Sequence, residues 1–203
     1  MKFIKWKTLI ITSLVCLLPI LPGLILWDKL PQSMAIHFDI NNKPDNFATK
    51  GFAVFGLPLL MIALQCFCCF INDINSYKHG ERKKFEMITK WIIPVITIIL
   101  QIATFCYNLG FDFEIRKVAG IIVGIILMVI GNYLPKFDYI KDYDMETHKA
   151  RKVNRFIGFM TVIMGVLFII SIFLPSIYTL ICLFLLIPYA LISVIYTIYV
   201  IKH

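Results

Sequence analysis

The chain has 203 residues, 60% of them hydrophobic, and a mean hydropathy of +0.83. A soluble domain averages about 45–50% apolar residues, so this composition excludes an ordinary water-soluble globular protein and defines an integral membrane protein. The formal charge of +8 comes from 20 Lys+Arg against 12 Asp+Glu; the basic residues cluster between apolar runs, which points to membrane topology and contact with anionic lipid and not to nucleic acid.

Lys2, Lys5 and Lys7 precede an apolar run from Thr8 to Trp27. At about 1.5 Å per residue this run reaches about 30 Å, the thickness of the hydrocarbon core. It exceeds the apolar region of a secretory signal, and no small-x-small cleavage site follows. The run is therefore read as a first span, bent near Pro19 and Pro22. Residues 28–51 form the next connector. Within it Met34, Ile36, Phe38 and Ile40 alternate with Ala35, His37, Asp39 and Asn41. Period two predicts an extended segment with His37, Asp39 and Asn41 on one side. Asn41 to Asn46 is dense in turn-forming residues, and Asn is a type that tolerates left-handed φ.

Further spans are predicted over 52–71, 91–108, 118–134, 156–174 and 177–201, the last interrupted by Pro188. Polar, basic connectors occupy 72–90, with a short interfacial helix expected over 81–90, and 135–155. Gly120-x-x-x-Gly124 predicts close approach of two helices. The fold class is an all-α integral membrane protein, one six-helix domain over 1–203 with a short strand-and-turn segment in its first outer loop. Fifteen of the twenty basic residues fall in the N-terminal segment, 72–90, 135–155 and the C-terminal end. That bias places both termini in the cytoplasm and 28–51 outside.

No span so drawn holds Asp, Glu, Lys, Arg or His in its interior, which argues against a proton-coupled carrier. Gln65, Thr97, Gln101 and Thr104 are read as interhelical hydrogen-bonding groups. Nucleophile, metal-protease and nucleotide motifs are absent, so no catalysis and no cofactor are expected. Cys66-Phe67-Cys68-Cys69 lacks a second ligand cluster and is read as apolar packing. His37 with Asp39 and Asp45 is read as a hydrogen bond bracing the loop, and no metal site is assigned.

Two stretches carry a resemblance. Leu30-Pro31, Ile36-His37-Phe38, Asn41, Lys43-Pro44-Asp45 and Lys50 resemble the first outer loop of the SdpI family of bacterial multispanning membrane proteins, with Ala35 and Asn42 at that family's second Pro and turn Gly. Gly131-Asn132-Tyr133-Leu134-Pro135-Lys136 resembles the end of its fourth helix. The following connector, FDYIKDYDMETHKARKVNRFIG, departs from the family: it lacks Gly-Ile-Arg-Thr-Pro-Trp and has Ala150 and Asn154 where the family has Trp and His, while Arg155 and Gly158 fit. The resemblance implies a plasma-membrane protein that gives immunity to a secreted toxic peptide and signals its presence. It implies a recognition loop of His37, Asp39, Asn41, Pro44, Asp45 and Lys50, and a structural or functional helix end of Gly131, Asn132, Tyr133, Pro135 and Lys136. It also implies a cytoplasmic repressor at the basic inner connectors. The alternative is a small transporter or channel-like protein, its helices kinked at Pro19, Pro58, Pro94 and Pro188 but without a charged coupling site.

Overall fold

The computed structural model describes residues 4–79, 83–112, 114–136 and 147–202. Parts of both basic connectors, 80–82 and 137–146, lie outside the described residues.

The first span is built in two pieces. Helix α1 (Trp6–Leu17) stops where Pro19 and Pro22 cannot supply N–H groups, and α2 (Ile20–Ile25) resumes it. The carbonyls those prolines would have served take shorter-range partners instead, Leu18 N–H to Val15 O at 3.2 Å and Leu21 N–H to Leu18 O at 3.1 Å. The expected bend at these prolines is therefore a break in the ladder.

The connector folds as an antiparallel hairpin, β1 (Ser33–Phe38) and β2 (Pro44–Thr49), with Ser33 opposite Thr49 and Ala35 opposite Phe47. The register is irregular on both sides of His37. The sequence predicted one extended segment running on to Asn41. Asp39 and Asn41 instead belong to the turn, and the second strand was not foreseen. Pro44 and the Asp45-Asn46 pair masked it, because those residue types are depleted in strands and read as turn.

Thr49 Oγ1 accepts the N–H of Phe52 at 3.3 Å and so caps the next helical run. That run opens with a π turn (Phe52–Gly56) and continues as α3 (Leu57–His79). Leu57 N–H bonds Phe52 O across five residues. Ala53 O then has neither Leu57 nor Pro58 as a donor, since Pro58 carries no N–H. Gln101 of α4 (Lys83–Asn108) fills the gap, its Nε2 donating to Ala53 O at 2.6 Å. The intramembrane Gln101 is thus a specific repair of a proline-broken ladder.

Residues 72–90 contribute more helix than the sequence predicted. α3 runs on to His79, and the interfacial helix expected over 81–90 forms, from Lys83, the opening turns of α4.

Two compact units are distinguished, Met1–Val118 and Ala119–His203. The second begins within α5 (Ile115–Tyr133), which closes in a 3₁₀ turn (Leu134–Lys136), and contains α6 (Thr147–Ser171) and α7 (Ser176–Lys202). α7 passes through Pro188 without interruption, against expectation. α5 and α6 meet through glycines. A Cβ at Gly124 would lie 2.8 Å from Gly165 O, and one at Gly131 would lie 2.6 Å from Gly158 O. Small residues let helix backbones approach closely where no hydrophobic effect drives helices together. Met164, Phe168 and Cys182 form the core between α6 and α7, and Thr161 Oγ1 and Tyr189 Oη lie 2.7 Å apart. Among the described residues, six helical stretches are long and apolar enough to cross a membrane: Trp6–Ile25, Phe52–Tyr77, Lys83–Asn108, Ile115–Lys136, His148–Ser171 and Ser176–Lys202.

Candidate functional site

The hairpin is a cap with a buried and an exposed half. Met34 is fully buried and joins Leu30, Ala53, Val54 and Phe105 in one core. On the outer edge of β1, Asn108 at the end of α4 accepts the Ala35 N–H at 2.8 Å and donates to Ala35 O at 2.9 Å. A single amide thus stands in for a neighbouring strand. Phe38 sits edge-on to Tyr107 at 4.5 Å between ring centroids.

The turn is tied by Asp39. Its Oδ1 accepts the N–H groups of Asn41 at 2.9 Å and Lys43 at 2.8 Å, while its own N–H donates to Lys43 O at 2.8 Å. Asn42 sits at φ 63°, as expected from its family position, and its Oδ1 accepts the Arg116 N–H at 3.4 Å. His37 Nδ1 and Asp45 Oδ1 are 2.5 Å apart across the hairpin, with both side chains exposed. This is the bracing contact read from the sequence.

Lys50 lies inside the cap. It is 6% exposed, and its ammonium donates to Trp27 O at 2.9 Å and Leu30 O at 3.0 Å while lying 5.0 Å from the Trp27 ring centroid. The carbonyls closing the first span meet the ammonium that follows β2, so Lys50 clasps the two ends of the loop together. Of the six loop candidates, His37, Asn41 and Asp45 face solvent, Asp39 and Pro44 are half-buried, and Lys50 is buried. Among the described residues, no group of three His, Cys, Asp or Glu is placed to hold a metal ion.

At the helix end, Lys136 donates to Asn132 Oδ1 at 3.5 Å and lies 4.8 Å from the Tyr133 ring centroid. The Asn132 side chain is exposed and its amide oxygen is directed to Lys136. Pro135 stops the helix and seats on Gly158, where an added Cβ would lie 2.8 Å from the ring. That contact gives a reason for both residues, which the sequence matched separately.

A third constellation was missed. Where α1, α3 and α4 meet, Lys90 and Asp73 form an ion pair, 2% and 0% exposed at their side chains. The other Asp73 oxygen accepts the Lys5 N–H at 3.1 Å. Lys5 Nζ pairs with Glu86 at 2.6 Å, and Ser76 Oγ donates to the second Glu86 oxygen. Beside it, Gln65 Nε2 donates to Lys90 O at 2.9 Å and Thr12 Oγ1 at 2.7 Å, leaving its buried Oε1 without a hydrogen-bond partner. The spans drawn from sequence ended at 71 and began again at 91, so Asp73, Glu86 and Lys90 were assigned to a solvated connector. The available signal was the Glu86-x-x-x-Lys90 spacing, which puts opposite charges on one helix face.

The fold and the cap define a class: a six-span α-helical membrane protein whose first loop is an internally braced β-hairpin. Within that class the chain is similar to one bacterial immunity protein. It is 28% identical over 126 residues to the immunity protein SdpI of Bacillus subtilis (strain 168), a match covering 62% of this chain and 59% of that protein. The match thus spans under two thirds of the relative's length. A family described as a domain of unknown function, DUF1648, matches residues 14–62, the stretch holding the first-span break, the hairpin and the π turn. No solved structure gives a significant match.

Proposed function

We propose that this chain is a membrane immunity protein. It protects the bacterium that makes it from a secreted toxic peptide, acts without catalysis, and holds both termini on the cytoplasmic side of the plasma membrane. The observation that carries this reading is the similarity to an immunity protein over 126 residues. The cap supports it with a surface of suitable chemistry: the exposed His37–Asp45 pair, Asn41 and Phe47 stand on a hairpin held by the buried Met34 and Lys50 and the half-buried Asn108. We assign recognition to that exposed half, and assign Asp39 and Lys50 to keeping its shape. A regulator on the cytoplasmic side would use the basic residues of 72–90 and 135–155. The transport alternative gains buried charges at Asp73, Glu86 and Lys90, but each carboxylate is already held by a lysine.

The test is survival of a peptide-sensitive bacterium expressing the chain, challenged with peptides secreted by the source strain. Wild type should protect. His37→Ala with Asp45→Ala should weaken protection by about tenfold, the worth of one charge-assisted contact, at an unchanged amount of membrane protein. Lys83→Gln with Lys84→Gln should protect fully. Absence of protection by the wild type sinks the immunity reading. Full protection by the hairpin double variant moves recognition away from the cap.

A further inference from the structure

We propose that the opening turns of α6 form a headgroup site for an anionic phospholipid, with the lipid chains lying along the apolar stripe of the same helix face. His148, Arg151, Lys152 and Arg155 are spaced at i, i+3, i+4 and i+7, so all four project from one side of α6. The opposite side, with Ala150, Val153 and Asn154, is buried. His148 and the three cations Arg151, Lys152 and Arg155 line a concavity of about 450 Å³. That size suits a phosphodiester with its glycerol, and a cluster of bases at a membrane boundary is a recurring headgroup site. The amides of the first turn and the positive end of the helix dipole reinforce the field where α6 opens.

What separates a lipid from a soluble anion is the continuation of this face. One turn beyond Arg155 stands Phe159, 65% exposed, followed at helical spacing by exposed Ile163, Val166 and Ile170. A free phosphate would use only the cations. A phospholipid uses both halves, its phosphate on the bases and its chains on the stripe. The cations sit at one end of a segment, His148–Ser171, long and apolar enough to cross the bilayer, which is the level at which headgroups lie. This inference does not depend on the immunity reading.

The experiment is native mass spectrometry of the full chain in neutral detergent, with phosphatidylglycerol or phosphatidylcholine of identical chains added. Wild type should retain phosphatidylglycerol over phosphatidylcholine by about tenfold or more. Each neutralised cation should weaken retention by about fivefold, so Lys152→Gln with Arg155→Gln should abolish the preference. Lys152→Arg with Arg155→Lys should keep it, and so should Lys83→Gln with Lys84→Gln. Equal retention of the two lipids by wild type, or undiminished preference in the Gln variant, overturns the proposal. Displacement of the lipid by millimolar inorganic phosphate would make the site one for soluble anions and overturn it as well. A phosphatidylglycerol with a photoreactive acyl chain gives a readout on the unmodified protein. Crosslinks should fall at Phe159 and Ile163, and crosslinks scattered evenly over the six spans would count against the site.

Discussion

Asn42 holds the turn in a conformation that few side chains tolerate. At φ 63° an ordinary L-residue is crowded against the following carbonyl at a cost of about 1–2 kcal/mol, and a β-branched one suffers most. Asn42→Val should loosen the hairpin by about that amount, while Asn42→Gly, which gives up the 3.4 Å contact with Arg116 but tolerates the backbone conformation, should be nearly neutral. The measurement is the rate at which an external protease cuts the loop of purified protein. Equal resistance of the Val variant and wild type would mean that the positive φ is not required. This residue was legible because it stands where the resembling family has its turn Gly, and because turn chemistry is local: Asn is among the few residue types that tolerate that backbone. Lys50 was not legible as a clasp. Its partners, Trp27 O and Leu30 O, lie 23 and 20 residues away, and nothing in its neighbourhood announces that they come within reach.

The same distinction governs how elements are joined. Gly120 and Gly124 marked one face of α5 for close packing, and that face does meet α6, with Gly124 against Gly165. The clasp of α1, α3 and α4 through Lys5, Asp73, Glu86 and Lys90 left a fainter trace, because charged residues in a connector ordinarily read as solvated. Its energetics are asymmetric. Lys90→Met leaves the Asp73 carboxylate buried without its ammonium and should destabilise the protein by about 3–5 kcal/mol. Adding Asp73→Asn to it should recover most of that loss, since removing both charges of a buried pair is often nearly neutral. Thermal unfolding in detergent measures both. A single variant as stable as wild type would show that Lys90 and Asp73 do not depend on each other. A double variant no better than the single would place the cost in lost packing.

At the scale of the whole molecule the remaining question is orientation. Among the residues that bias it are the exposed Lys83 and Lys84 at the start of α4 and the cations at the start of α6. In a background lacking the six native cysteines, an impermeant thiol reagent added to intact cells should modify Asn46→Cys and spare Lys84→Cys. The reverse pattern would turn the hairpin toward the cytoplasm and remove the basis for toxin recognition by the cap. Composition and run length alone determined that this is a membrane protein of six spans, because lipid forces every spanning backbone to satisfy its own hydrogen bonds and so leaves helices with a fixed minimum length. Local chemistry determined the first-span break at Pro19 and Pro22 and the turn at Asn42. Only the tertiary structure decided that Pro44–Thr49 is a strand, since β2 exists by pairing with β1 and Asn108 is needed to finish the other edge. Only the tertiary structure turned Gln101 into a donor for Ala53 and Lys90 into the partner of Asp73. These are contacts between residues 48 and 17 positions apart, and a backbone gap or a buried charge is completed by whichever side chain folding brings to it.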